Sequence, residues 1–281
     1  MRARRLQGAQ YLLLEKSLRS KALSGKWFLA LGASSGFGAA TCRRMAKAGM
    51  NIFGVHLDRK TSMPAVEELI GELKAEGVQV HFFNVNAADP DKRAEVLDEF
   101  REIVGQSTKI RVLMHTLAYG TLRPFLDEAG QINQSQMEMT TNVMAHSLVY
   151  WVQDIVERDM FEKNSRVYAM TSSGGTRVMP TYGAVSAAKA ALESHCRQLA
   201  MELAPLGITV NAIRAGVTDT PALRKIPGHE VMLETAISRN PSGRLTNPQD
   251  VAEAIALLSE PGTYWMTGNT LGVDGGEDIV A

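Results

Sequence analysis

Trp27-Phe28-Leu29-Ala30-Leu31 is an unbroken apolar run that gives way at once to Gly32-Ala33-Ser34-Ser35-Gly36-Phe37-Gly38 and then to a segment of helical period. This junction constrains the chain more than any other feature. A five-residue run without alternation reads as a strand buried on both faces, as happens where helices cover both sides of a parallel sheet. The glycines let the chain turn tightly out of that strand and into a helix. From Lys26 onward the same alternation repeats. Residues 36–48 read as a helix ending at Gly49, 51–57 as a second strand, and 64–75 as a helix with Pro64 near its start and Gly77 past its end. Strands follow at 78–83, 110–115, 166–170 and 208–213, with helices over 91–104, 136–158 and 185–203 between them. Residues 248–258 and 270–273 add a last helix and strand. Seven strands separated by helices predict a single α/β domain, a doubly wound and mostly parallel seven-stranded sheet. A length of 281 residues with 45% hydrophobic side chains suits one such domain.

A turn of this kind presents backbone N–H groups to an anion at a helix N-terminus, and a pyrophosphate suits it. Gly32, Ser34, Ser35, Gly36, Phe37 and Gly38 are the candidate cradle, in G-x-x-x-G-x-G spacing rather than the commoner G-x-G-x-x-G. At the end of the second strand, where the ribose of a dinucleotide belongs, the chain reads His56-Leu57-Asp58-Arg59-Lys60. A carboxylate there would bind a free 2′-hydroxyl, whereas arginine or lysine would pair with a 2′-phosphate. His56 stands seven residues after Gly49, where an NAD-preferring chain is expected to carry an acid, and Arg59 and Lys60 lie just beyond. The segment therefore favours NADPH over NADH. A polar surface turn is the competing reading of any one of these residues.

Thr171-Ser172-Ser173 closes the fifth strand, and Tyr182 and Lys189 follow near the start of the next helix. Seven residues at about 100° each leave the two side chains roughly 20° apart around the axis and two turns apart along it. An ammonium near a phenol favours the phenolate and lowers the pKa of the tyrosine, which makes it a usable proton donor near neutral pH. An aromatic and a solvated lysine on a shared face is the competing reading.

The 30 basic and 30 acidic residues cancel, so no overall field points to nucleic acid. The balance is nevertheless uneven. Within residues 1–26, Arg2, Arg4, Arg5, Lys16, Arg19, Lys21 and Lys26 stand against Glu15 alone, which leaves +6 there and −6 over the rest. Tyr11, Leu12, Leu13, Leu14 and Leu18 would line one face of a short amphipathic helix. A docked or frayed extension, a partner or membrane-surface contact, and a targeting segment all fit this stretch. Residues 1–25 are thus read as a basic extension and 26–281 as the dinucleotide-binding domain. Cys42 and Cys196 lack CxxC or Cys/His spacing, which suggests neither disulfide nor metal site and fits a reducing, cytoplasmic setting. No apolar run approaches the length of an integral membrane segment.

Taken together, these motifs resemble the short-chain dehydrogenase/reductase family over residues 26–277, which implies a Rossmann fold. Asn84-Val85 looks like the family's adenine-side turn, Asn142 its helix asparagine and Ser172 its active-site serine. Residues 210–216 and the stretch from Gly268 through Val273-Asp274-Gly275-Gly276 resemble its carboxyl-terminal signatures. The resemblance also assigns Thr116, Gly216, Thr218 and Lys189 to the cofactor.

Two departures narrow the likeness. Most members place tyrosine four residues before the lysine, where this chain has Val185, so the spacing from Tyr182 is Y-x6-K. Most carry N-N-A-G after the fourth strand, where this chain has His115-Thr116-Leu117-Ala118. Both resemble the enoyl-acyl carrier protein reductases, and the Gly32/Gly36/Gly38 turn with Ser172 resembles their NADPH-using type III branch. Leu122-Arg123-Pro124-Phe125 and Asp219-Thr220-Pro221-Ala222-Leu223 are similar to that branch too.

The resemblance implies hydride transfer from NADPH to C3 of a trans-2-enoyl thioester of acyl carrier protein or coenzyme A, as in fatty acid synthesis. Tyr182 would meet the thioester oxygen, Lys189 the nicotinamide ribose, Ser172 the substrate carbonyl, and Asn142 a proton relay. A homotetramer is implied, paired through helices 91–104, 136–158 and 185–203. A 3-ketoacyl or carbonyl reductase of the same fold, and a catalytically silent dinucleotide-binding member, are the rival readings.

Residues 218–244, rich in Pro and Gly around Leu223, Ile226, Val231, Met232 and Leu233, read as a flap over an acyl chain or as a surface excursion. His115 reads either as a nicotinamide-pocket residue or as a histidine bonded in place, and His195 as packing. Met137, Met139 and Met144 read as core or subunit contact.

Overall fold

A computed structural model describes residues 19–128 and 130–280. Tyr11 to Leu14 and Leu18, and the amphipathic reading built on them, lie outside the described residues. Seven strands, β1 (Trp27–Leu31), β2 (Asn51–His56), β3 (Val80–Asn84), β4 (Ile110–His115), β5 (Phe161–Ser172), β6 (Thr209–Ala215) and β7 (Thr270–Val273), form one sheet. Their order is β3-β2-β1-β4-β5-β6-β7, and every neighbouring pair is parallel. The chain reverses direction across the sheet between β1 and β4. Beyond the carboxyl ends of strands at such a switch point lies the crevice where open α/β sheets bind ligands.

Among the described residues the α-helices are α1 (Gly36–Lys47), α2 (Met63–Ala75), α3 (Pro90–Val104), α4 (Gln134–Thr141), α5 (Ser147–Glu157), α6 (Gly183–Leu203), α7 (His229–Arg239) and α8 (Pro248–Leu258). The apolar run of β1 now has its explanation. Phe28 and Ala30 enter a core with Met45 of α1, Leu69 of α2 and Ile255 of α8, while Trp27, Leu29 and Leu31 enter a second core with Phe100 of α3, Trp151 of α5 and Leu192 of α6. Full burial of each large side chain contributes about 1.5–3 kcal/mol.

Local chemistry sets the helix ends. Asp89 accepts from the amides of Asp91 and Lys92 at 2.9 and 3.2 Å to open α3 behind Pro90, and Gly105 closes it at φ 91°. Capping boxes of Asn133 with Gln136 and Asn247 with Asp250 start α4 and α8.

Two elements differ from the sequence reading. The expected helix 136–158 is broken by a π-helical turn at Asn142–His146, where the Ser147 amide reaches back to Asn142 O. Hydroxyls of Thr140, Thr141 and Ser147 bond the carbonyls four residues earlier, at 2.7, 3.0 and 2.8 Å, and such back-bonding bends helices. The strand expected at 166–170 extends over Phe161–Ser172 because polar Glu162 to Asn164, with Asn164 at φ 66°, form an irregularity that an apolar run does not reveal. Residues 19–25 pack on the body. Leu23 is buried against Met45 and Met50, and the Ser20 and Gly25 amides bond Ala48 O and Gly49 O at 3.2 and 2.8 Å. Among the described residues no helix is long and apolar enough to cross a membrane.

Candidate active site

The glycine turn stands at the switch point. Gly32 and Ala33 donate to Val55 O at 2.8 and 3.0 Å, and Thr116 donates to Leu31 O at 2.9 Å, so β1 ends wedged between β2 and β4. Gly32 has φ +93°, and a Cβ there would fall 2.9 Å from Thr116 O. Ala39 is the first residue of α1 to donate back, to Ser35 O, and Ser35 makes no side-chain cap. The amides of the preceding turn therefore stay open at the positive end of the helix dipole. This uncapped terminus fits the pyrophosphate of a dinucleotide, to be held by Ser34, Ser35, Gly36, Phe37 and Gly38.

The ribose segment is braced from below. Asn84 accepts from the Asp58 amide at 2.9 Å and donates to Asp58 O at 3.0 Å, and Val85 N donates to His56 O at 2.8 Å. The Asn84 side chain is thus spent on fixing the loop after β2. Asp58 is engaged by the buried His56 ring at 2.9 Å, while Arg59 and Lys60 are exposed. The free charge at this corner is cationic.

Beyond β5, Ser172 and Tyr182 line a cleft of about 660 Å³ together with Phe37, Gly216 and Thr218. Tyr182 is not inside the helix, as its spacing had suggested, but is the residue that precedes α6, with ψ near 0°. Its ring is tightly seated. A Cβ on Gly174 would fall 2.5 Å from Tyr182 Cε1, and one on Gly183 would fall 2.7 Å from Phe125 Cε1. Thr181, just before it, has φ 62°, rare for a β-branched residue. Val185, buried and apolar, fills the place one turn nearer Lys189 and also lines the cleft.

The expected depression of the Tyr182 pKa by Lys189 is corrected by the structure. Burial raises the phenol, opposed only by the neighbouring Ser172 hydroxyl, which approaches without completing a hydrogen bond of its own. The reason is that Lys189 is occupied elsewhere: buried beside β5, it donates to Met170 O at 2.7 Å. Burial lowers its pKa to about 8 against the pull of Cys196 and Glu193. Tyr182 is therefore a protonated donor at neutral pH. Asn142 opens the π turn, which packs on α6, but it does not line the cleft.

The segment after Thr218 arches over the cleft. Leu223, Ile226, Val231 and Met232 face into it and Leu233 does not, while Arg224 clamps Asp219 at 2.7 and 2.8 Å. Met144 lines the cleft as well as the core. Three features had no sequence signal: Gly174 against the tyrosine ring, the Ser147 partner of His115, and Glu277, which accepts from the Val217 amide at 3.1 Å and reaches the cleft from the chain's end. Their roles depend on long-range contacts that no local motif encodes. Cys42 and Cys196 are buried and unpaired, both thiols pushed up to about 12 chiefly by burial.

Fold and site together define a nicotinamide-dependent reductase of the short-chain dehydrogenase/reductase family, and a family model described as enoyl-(acyl carrier protein) reductase matches residues 32–277. The chain belongs to this family. It is 28% identical to 1-cyclohexenylcarbonyl-CoA reductase of Streptomyces collinus over 90% of this chain and 87% of that one. It is also 28% identical to the 3-oxoacyl-[acyl-carrier-protein] reductase FabG of Thermotoga maritima, over 90% and 98%. The enoyl-[acyl-carrier-protein] reductase [NADH] FabI of Bacillus subtilis is 29% identical over 69% and 74%. In fold, the enoyl-[acyl-carrier-protein] reductase (NADH) of Aquifex aeolicus superposes with a TM-score of 0.80 at 22% identity, covering 92% of this chain and 99% of that one.

Proposed function

We propose that this protein reduces the C2=C3 bond of a trans-2-enoyl thioester, carried by acyl carrier protein or coenzyme A, with NADPH as reductant. One observation carries the reading. The buried phenol of Tyr182 belongs to the residue that precedes α6, three residues before Val185 and so further back along the chain from Lys189 than the common tyrosine position. A ketone needs its proton donor on the oxygen bonded to the carbon that receives hydride, whereas in an enoyl thioester charge gathers on an oxygen two bonds further away. The displaced phenol suits the second geometry.

The dinucleotide supplies the hydride. Tyr182, kept protonated by burial, donates a hydrogen bond to the thioester oxygen as enolate charge develops. Ser172 lies beside it to orient the same carbonyl, and Lys189 holds the nicotinamide ribose. The α7 segment lays its apolar residues over the acyl chain and keeps water from the reacting carbons. Arg59 and Lys60 meet the 2′-phosphate. The relatives named above include both an enoyl-type and a 3-oxoacyl reductase, so the deciding experiment offers crotonyl and acetoacetyl thioesters in parallel with NADPH and NADH. Preferential reduction of the crotonyl thioester supports the proposal. Preferential reduction of the acetoacetyl thioester assigns the ketoreductase reading, and tight dinucleotide binding with no turnover on either assigns a silent member. A homotetrameric, cytoplasmic enzyme completes the proposal.

A further inference from the structure

His115 ends β4 with its side chain wholly buried on the sheet face that α5 and α6 cover. Its Nε2 lies 2.8 Å from Ser147 Oγ, and that hydroxyl donates its only proton to Val143 O at 2.8 Å. Ser147 is therefore an acceptor toward the ring, so Nε2 carries the hydrogen. Nδ1 is then a bare acceptor, buried and without a partner among the described residues. Buried acceptors are satisfied as a rule, by protein or by an ordered water.

A charged donor is brought to this part of the sheet by the strand register. His115 stands opposite Ala169, and the next carbonyl on β5, Met170 O, receives Lys189 Nζ at 2.7 Å. The ammonium thus meets β5 one residue past the position that pairs with His115, near enough for its charge to act on the imidazole. It adds to burial in holding the ring neutral, against the backbone carbonyls of His115 and Val143, which favour the charged form, and the pKa is pushed down to about 3. The other groups acting on Lys189 are Glu193 and Cys196 on α6, and Glu193 is itself held by Thr171 Oγ1 at 2.7 Å. Lys189 has three protons and Met170 O takes one.

We propose that His115 is a positioning residue for Lys189: its Nδ1 accepts from a bridging water held by the ammonium and fixes the direction in which the remaining protons meet the nicotinamide ribose. Ser147, on the helix side of the π turn, sets the tautomer that makes Nδ1 an acceptor. The inference rests on the family's dinucleotide site and on no particular acyl substrate.

The two ring nitrogens separate by substitution. His115→Gln retains a donor where Nε2 meets Ser147 and removes the acceptor at Nδ1; His115→Asn keeps an acceptor near Nδ1 and gives up the bond to Ser147. The measurement is NADPH affinity against pH, read by dinucleotide fluorescence without substrate. Loss of an acceptor from the charged form lowers the pKa of an ammonium. In His115→Gln the pH above which affinity falls should move down by roughly half a unit or more, and in His115→Asn it should stay within about 0.2 of wild type. Equal shifts in both, or none in either, would overturn the proposal. Imidazole 15N spectra of the apo protein provide the second readout, which needs no variant to fold. A neutral Nε2–H ring with a hydrogen-bonded Nδ1 that does not titrate between pH 5 and 8 is expected. An Nδ1–H tautomer, or a ring that titrates in that range, refutes it. Failure to reduce enoyl thioesters would leave both readouts standing.

Discussion

Three glycine-to-alanine changes, two in the cofactor turn and a control in α2, test the geometry of the turn, because the surroundings and φ of each glycine dictate an effect of different size or sign. At Gly38 an added Cβ would fall 2.9 Å from the carbonyl carbon of Gly32, closer still to its oxygen, and 3.2 Å from Ala33 Cα. All three atoms are backbone, fixed by the bonds of Gly32 and Ala33 to Val55. Carbon pairs rest at about 3.5–4.0 Å and the Gly32 oxygen is nearer than either carbon, so α1 must back away from the turn by roughly 1 Å or more. Such overpacking costs about 3 kcal/mol, and it draws the open amides out of reach of the pyrophosphate. At Gly36 the added atom meets the Thr220 side chain, Cγ2 at 3.5 Å and Cβ at 3.7 Å, in ordinary contact, but the backbone is left-handed at φ +51°, which costs about 1–2 kcal/mol. At Gly71, exposed within α2, nothing lies within 4 Å, and alanine should stabilise by about 1 kcal/mol. Urea unfolding gives the order Gly71→Ala above wild type, then Gly36→Ala, then Gly38→Ala. NADPH titration should show a loss of more than about tenfold for Gly38→Ala and none for Gly71→Ala. A Gly38→Ala protein within about 0.5 kcal/mol of wild type that still binds NADPH normally would refute the packing assigned to this turn.

Tyr182→Phe should lower turnover by about 10²–10³ while NADPH affinity stays within about twofold, since the phenol acts on substrate alone; paired kinetics and titration check this. Arg59→Glu should cut the ratio of kcat/KM for NADPH over NADH by at least about tenfold, the loss of one charge-assisted pair of about 1.5–3 kcal/mol, and an unchanged ratio removes Arg59 from the 2′-phosphate site. His115 sets an acid-side stability slope. Its folded pKa of about 3 lies below the ordinary 6.5, so between those values the unfolded chain binds the extra proton, and stability falls as pH drops from 6.5, by up to about 1.4 kcal/mol per unit. His115→Asn should flatten that slope in urea titrations at pH 4 to 7.

The architecture was legible because both signals that specify it are local. Apolar runs marked six of the seven strands to within about two residues, and the helix-end signals at Gly49, Pro64 and Gly77 are short-range chemistry. What escaped left no mark on the apolar pattern. The π turn depends on hydroxyls bonding one turn back, and a continuous helical period hides it. Asn164 extends β5 through a left-handed residue that polarity disguises as loop. At the site, spacing brought Ser172, Tyr182 and Lys189 to one neighbourhood but gave the wrong electrostatics. Whether an ammonium tunes a phenol depends on what else the ammonium bonds, and Met170 O had claimed it.

The separation of these two roles suggests where the family's chemistry is set. Lys189 is fixed by the sheet, deep in α6, whereas Tyr182 is placed by the loop that precedes the helix: Gly174 and Gly183 make room for the packing around it, and Thr181 holds a left-handed φ of 62°. A β-branched residue there costs about 1–2 kcal/mol, and its Oγ1 is buried with no hydrogen-bond partner among the described residues. Strain of this kind persists only where surrounding contacts over-determine it. Under the proposed mechanism, a change in this loop alone would shift the phenol and leave the Lys189 bond to Met170 O in place. Thr181→Gly isolates the effect. Glycine adopts this φ freely, so the folded state loses its strain while the unfolded chain gains freedom, and the two offset to leave stability higher by at most about 1 kcal/mol. Turnover should nonetheless fall by about tenfold or more as the phenol loses its single orientation, with NADPH affinity unchanged. Calorimetry and steady-state kinetics on the same preparation decide it: a variant as active as wild type would mean that the tyrosine is held by its ring contacts alone, and that the strained residue ahead of it contributes nothing to the reaction.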